Sequence, residues 1–302
     1  MRIAATLSGR ELVMLAGNRL ARVRVPAGGA DRVGAAAKTG ATGQAARPET
    51  RSVPRQELAV VIERLGPLAM WPTPADEGWE TADGVEFGIP VQPDAIIGTG
   101  LNFLPHAADL HASPTQLPTL FFKGRHTVIG PGEVIPLPGM SQRVTAEAEL
   151  GLVIGRHMYR VSPDEALDCV AGGCCVLDQT AEDILWMNPR MLTVSKNFPG
   201  FFSFGPEIVS LDELSASSPD GLAGVSVSTC LNGQRMRSAT LADMRFGLAE
   251  LLAFISHVMP LECGDVVSTG TPGAVVLKPG DVVACEISGM RTLANGVAQA
   301  DL

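Results

Sequence analysis

Residues 145–156 read TAEAELGLVIGR and residues 174–184 read CCVLDQTAEDI, and these two stretches decide the fold class. In the first, Glu147 and Glu149 stand two apart where the following apolar run argues for a β-strand, so both side chains point to one face. Like charges side by side are costly without a cation, and an isolated Glu-x-Glu is ordinarily a solvated strand face. In the second stretch, Asp178 ends another apolar run that buries its neighbours. Three carboxylates converging from two strand ends suit a hard octahedral cation with positions left open for water and substrate, Mg²⁺ or Mn²⁺ before Zn²⁺.

Outward from this pair, further short apolar runs at 119–122, 150–154, 225–231, 266–268 and 282–287 are bounded by Gly, Pro or Asn and read as strands. Asn232-Gly233 after an alternating run is the strongest hairpin signal in the chain. Two helices interrupt the strands. Ser162-Pro163-Asp164-Glu165 combines an N-cap, a Pro at the first helical position and a capping-box Glu, opening a helix to about residue 170. Leu241, Met244, Leu248, Leu251, Leu252, Ile255 and Val258 keep helical spacing after a cap at Thr240, which predicts a core or interface helix over 241–258. Upstream, 26–53 lacks apolar periodicity and reads as a long loop, with a helix near 56–65 and a Pro/Gly/Trp-containing stretch at 67–90. The pattern predicts an α+β protein, predominantly β: a small N-terminal domain over 1–89 and a catalytic domain over 90–302.

Composition narrows the partners. The 302 residues are 46% hydrophobic, which a packed core requires, and only 18% charged. A net charge of −9 repels polyanions, so nucleic acid is not an expected partner. The charge is uneven: residues 1–64 carry a net +6, leaving −15 on 65–302. Lysine is scarce, only Lys38, Lys123, Lys196 and Lys278, so a lysine inside a motif carries weight. The six cysteines have no CxxC or zinc spacing, and buried thiols are expected. No apolar run approaches the ~20 residues of a membrane span, and the start has no signal-peptide core, so a cytoplasmic protein without membrane contact is expected.

GxSxG, GxxxxGK[ST] and HExxH are all absent, and the GTG at 98–100 is too short for a dinucleotide fingerprint. What remains resembles the fumarylacetoacetate hydrolase family, most closely its acylpyruvase and oxaloacetate decarboxylase type members. The resemblance runs in order through IIGTGLNFLPHAADL (96–110), PTLFFKGRHTVIGPGEVIPLP (118–138), TAEAELGLVIGR, VLDQTAEDI (176–184), SKNFPGFFSFGPEIV (195–209), CLNGQRMRSATLADMRF (230–246) and GDVVSTGTPGAV (264–275). It implies a mixed β-sandwich roll, a homodimer, and Mg²⁺ or Mn²⁺ held by Glu147, Glu149 and Asp178. It also implies a lid helix whose His106 and Asp109 activate water, the family usually having Glu at the second position.

By the same resemblance Lys196 faces the substrate and stabilises enolate or oxyanion charge, and Thr271 binds the substrate carboxylate. Phe103, Lys123 and Glu182 fall at the substrate, although Lys123 reads equally as a salt-bridged structural lysine. Two positions depart from the pattern: Glu182 stands where the family has Arg, and Leu185 where it has Gln. Glu182 is then a general base, a salt-bridge partner or an extra metal contact, and a larger or less anionic substrate is expected. The implied activity is C–C cleavage, by hydrolysis or decarboxylation, of a small 2-oxo acid or 1,3-dicarbonyl through an enolate. Hydration, dehydration, isomerisation or cyclisation of an oxo-enoic substrate, or a non-catalytic member, are the alternatives.

Overall fold

A computed structural model of the chain describes residues 1–6, 12–16, 19–22, 24–26, 50–52, 80–81, 85–109 and 116–300. The loop expected over 26–53 lies mostly outside them, although Arg24–Pro26 and Thr50–Ser52 at its ends pair antiparallel. The helix expected over 56–65 lies wholly outside them.

Strands dominate the described residues. The larger sheet runs from Arg19–Arg22, Leu12–Ala16 and Arg2–Ala5 through Phe202–Val209, Val170–Ala181 and Val144–Ile154 to Val266–Ser268, Ile96–Gly100 and Thr119–Lys123. A second sheet orders Val134–Leu137, Leu293–Gln299, Val282–Ile287, Ser226–Leu231 and Gln234–Thr240. Most pairings are antiparallel, but Val266–Ser268 runs parallel to Ile96–Gly100, and Val134–Leu137 parallel to Leu293–Gln299. This is the predominantly β, mixed-sheet α+β fold that the strand pattern predicts. The boundary expected near residue 90 does not interrupt the larger sheet, because Ile3 of the first strand pairs with Ile208.

The central strand, Val144–Ile154, explains the architecture. Its even positions, Val144, Ala146, Ala148, Leu150, Leu152 and Ile154, enter the main apolar core together with Val227, Ile287 and Leu293 of the second sheet. Its odd positions point the other way: Val153 joins a second core with Val176, Phe202 and Phe204, while Glu147 and Glu149 occupy the same face further along. Period-two geometry thus separates core and chemistry on one strand. The neighbouring strand, Val170–Ala181, is buried at every position, so it reads as a continuous apolar run rather than an alternating one.

The turn signals are matched. Asn232 and Gly233 have φ of 51° and 79°, the positive values that a two-residue hairpin turn needs. The Glu165 carboxylate accepts from the Ser162 amide at 3.0 Å, but helix gives way to a 3-10 turn after Ala166 and the strand starts at Val170, where helix was expected to end. The expected 241–258 helix is shorter. Asp243 accepts from the Thr240 amide at 2.8 Å and closes a separate turn at Leu241–Asp243. Asn102 then holds the next residues in place, its carbonyl oxygen accepting from the Arg245 amide at 2.7 Å and its side-chain oxygen from the Phe246 amide at 3.0 Å. The α-helix spans Leu248–Val258 and buries Leu248, Leu251, Leu252 and Ile255 on one face.

Close strand packing demands glycine at one position above the others. A Cβ at Gly172 would collide with the backbone carbonyl of Val209 in the adjacent strand. Gly172→Ala is expected to destabilise the protein by about 1–3 kcal/mol, since overpacking against backbone cannot be relieved by a rotamer change. The check is the urea midpoint, and a midpoint equal to that of the wild type would refute the packing argument.

Candidate active site

The carboxylates sit on neighbouring strands in register. Glu147 is the antiparallel partner of Asp178, and Glu149 the partner of Val176, so all three acids project from one face of the sheet. Carboxylate oxygens of Glu147, Glu149 and Asp178 lie within 4.8 Å of one another. Two of them are 1% exposed, and an acidic cluster so buried needs cationic or hydrogen-bonded compensation.

Lys196 supplies much of it. The short helix Leu192–Lys196 ends beside the cluster, and the Lys196 ammonium donates to Glu147 Oε2 at 2.9 Å and Asp178 Oδ2 at 2.5 Å. Burial works to lower its pKa, but Asp178 and Glu147 outweigh burial and hold it above the ordinary lysine range. The same ammonium lies 4.7 Å from the centre of the Phe121 ring. Gly98 makes this possible, because a Cβ there would collide with that ring.

Glu149 is held differently, accepting from Ser268 Oγ at 2.5 Å and the Gly270 amide at 2.8 Å. Burial first, then Asp178 and Glu147, push its carboxyl up to about 8. Asp178 Oδ1 is ion-paired with the Lys123 ammonium at 2.6 Å, so both of its oxygens face a buried lysine. Three carboxylates clustered this closely form an oxygen-only donor set, which fits a hard divalent cation.

A cavity of about 430 Å³ opens over the cluster. Glu147, Glu149, Lys196, His106, Thr271 and Glu182 all line it, so the fold brings together side chains from five separate stretches of the sequence. His106 lies on the helix Leu104–Asp109 with Nε2 3.9 Å from Glu147 Oε1, beyond hydrogen-bond reach. Asp109 ends that helix, and its side chain lies outside the described residues. Thr271 Oγ1 exchanges 3.2 Å contacts with the Gly273 amide and carbonyl. Thr99 and Thr180 also line the cavity, and their buried hydroxyls have no hydrogen-bond partner among the described residues.

Position corrects one expectation and narrows two. Phe103 is fully buried in the main core and its backbone bridges to Met244, so it is a packing residue rather than a cavity wall. Lys123 does not line the cavity: its ammonium donates to the carbonyls of Gln179, at 3.0 Å, and Phe201, and burial pulls its pKa down to about 8 against the attraction of Asp178. It braces Asp178 from behind, as in the structural reading. Glu182 lines the cavity but accepts from Arg143 Nε at 2.5 Å, which makes it a salt-bridge partner and places it outside the acidic cluster.

Sequence reasoning missed Ser268, Phe121, Trp186 and Arg143. Trp186 and Glu182 are four apart on the helix Glu182–Met187 and therefore share a face, a spacing that was available to read. The Arg143 guanidinium lies 4.9 Å from the Trp186 ring, a pairing that follows only from strand register.

Residues 95–298 match the family model described as fumarylacetoacetate (FAA) hydrolase C-terminal. An uncharacterised protein of Archaeoglobus fulgidus is 36% identical over 227 residues, 74% of this chain and 87% of that protein. The mitochondrial oxaloacetate tautomerase Fahd2a of Rattus norvegicus is 31% identical over 222 residues, 70% of this chain and 69% of that one. Among solved structures, the 2-hydroxyhepta-2,4-diene-1,7-dioate isomerase of Mycobacterium marinum superposes with a TM-score of 0.65 at 27% identity, covering 76% of this chain and 84% of that one. The fumarylacetoacetate hydrolase of psychrophilic Exiguobacterium antarcticum superposes with a TM-score of 0.76 at 25% identity, covering 99% and 100%.

Proposed function

This chain belongs to the fumarylacetoacetate hydrolase family, and on that premise we propose that it is a Mg²⁺- or Mn²⁺-dependent enzyme cleaving a C–C bond of a 2-oxo acid or 1,3-dicarbonyl compound. The observation that carries the reading is the convergence of Glu147, Glu149, Lys196 and His106 at one cavity, with Asp178 clustered against the two glutamates and Lys196 beneath it. Glu147, Glu149 and Asp178 would hold a divalent cation, which would supply Lewis-acid polarisation of substrate oxygens.

The protein's own groups do the rest. Lys196 brings a fixed positive charge to the place where negative charge develops on a substrate oxygen, in a site largely screened from water. His106 accepts a proton from the attacking water at Nε2 in a hydrolysis, or returns one to carbon after loss of CO₂. Thr271, Thr99 and Thr180 offer hydroxyls to the substrate carboxylate. A cytoplasmic homodimer is the working state that goes with this reading.

A second reading keeps the site and breaks no C–C bond. The names of two relatives, an oxaloacetate tautomerase and a diene-dioate isomerase, favour it. Both are tested by incubating the purified protein and Mg²⁺ or Mn²⁺ with acylpyruvates, β-diketones and β-keto acids and weighing the products. Hydrolysis adds water and yields two fragments, decarboxylation loses CO₂, and isomerisation conserves mass. We expect fragments or CO₂; if mass is conserved the second reading replaces the first, and an untouched panel removes both.

A further inference from the structure

The cavity wall built by residues 182–196 has a character of its own. Glu182, Leu185 and Trp186 share one face of their helix, and Pro189 and Leu192 continue the wall, facing a space also lined by Leu101 and Phe121. Apart from Lys196 at its far end, Glu182 is the only charged group of that wall that lines the cavity among the described residues, and it is negative. Its carboxylate is bound by Arg143, whose guanidinium also covers the Trp186 ring, so the nearest cation is already committed. Asp183 fixes the helix against the preceding loop, accepting from Ser141 Oγ at 2.6 Å and the Gln142 amide at 2.7 Å. Lys196, the one lysine or arginine lining the cavity among the described residues, is engaged by Glu147 and Asp178.

An anionic group on the substrate's far end would meet Glu182 with no free cation and would be stripped of water against Leu185, Trp186 and Leu192. A neutral apolar group would bury against the same side chains at no such cost. We propose that Glu182, paired with Arg143, selects 2-oxo acids that carry a neutral apolar tail, aryl or branched alkyl, and rejects those with a second carboxylate. This rests on the 2-oxo acid reading above, and it makes Glu182 a specificity-determining residue.

Unreactive oxamates separate the two levels. Calorimetric titration of the full chain with Mg²⁺ would compare oxalate, N-benzyloxamate and N-(carboxymethyl)oxamate. Oxalate is expected to bind, and N-benzyloxamate to bind at least about tenfold more tightly than the carboxymethyl compound, the scale that pocket contacts discriminate. Glu182→Gln frees Arg143 and is expected to shrink that ratio, whereas Arg143→Gln leaves Glu182 uncompensated and is expected to widen it. A merely structural role for the pair would move both variants in the same direction. Oxalate binding with equal or stronger binding of the carboxymethyl compound overturns the selection by Glu182 and leaves the 2-oxo acid reading intact. Failure of oxalate itself to bind overturns that reading and this inference together.

Discussion

Asp178→Asn is expected to abolish divalent-cation binding and turnover together. Asp178 is the acid that both buried lysines share, with Lys123 2.6 Å from one oxygen and Lys196 2.5 Å from the other. Asparagine keeps the shape but removes the charge and offers an amide where a cation needs an anion. The loss of Lewis-acid polarisation, worth several kcal/mol at ~1.4 kcal/mol per tenfold, puts the fall in kcat at about three orders of magnitude. Two ammoniums would also lose part of their compensation, and breaking a buried pair costs about 3–5 kcal/mol. Manganese titration by calorimetry and steady-state rates on a substrate found in the panel are the measurements, with circular dichroism to establish that the variant is folded. A folded variant that binds Mn²⁺ like the wild type would remove Asp178 from the cation site.

Lys196→Met is expected to cost as much activity and to move cation binding the other way. Methionine removes the ammonium that bridges Glu147 and Asp178 while filling similar volume with apolar atoms. Without it the acidic cluster repels itself, so the cation-free variant is expected to lose about 3–5 kcal/mol, the cost of leaving buried partners unpaired. A divalent cation then has one competing charge fewer to overcome, with Lys123 alone left beside Asp178. Its affinity is expected to rise and its presence to restore much of the lost thermal stability, by mass action on the folded state. Turnover stays low, by about 10²–10³-fold, because the charge opposing the developing oxyanion is gone. Melting curves with and without Mn²⁺ decide the matter: the same decrement in both would mean that Lys196 stabilises something other than the carboxylates.

The placement of the acids behind these opposite signs was partly readable in the sequence. Spacing of two on a strand puts Glu147 and Glu149 on one face, because alternation is a local property of the backbone. The apolar run ending at Asp178 predicts a second buried strand for the same reason. Local rules stop at questions of long-range contact. Nothing within a few residues of Glu182 announces Arg143, which reaches it because Glu182 donates its amide to the Arg143 carbonyl at 2.9 Å across the sheet edge. Lys123 and Lys196 look alike as motif lysines, yet one lies behind Asp178 and the other in the cavity, a difference set by which strand or helix carries each. The helix expected from Thr240 begins later because Asn102, distant in sequence, captures the amide of Phe246 and the carbonyl of the same residue. The first strand's place beside Phe202–Val209 is likewise a pairing across the whole chain.

The two-faced strand Val144–Ile154 sets the terms on which this protein can change. Substituting an odd position near its start alters what the cavity holds and leaves the sandwich core untouched; substituting an even one does the reverse. Deleting a single residue from the strand would exchange the faces, driving Glu147 and Glu149 into hydrocarbon and Ala148 and Leu150 toward the cavity. Diversification of this site therefore proceeds by point replacement and by remodelling the 182–196 wall, while length changes within the strand are closed to it. Library design follows the same division: randomise 145, 182, 185 and 186, and keep the strand's reading frame fixed.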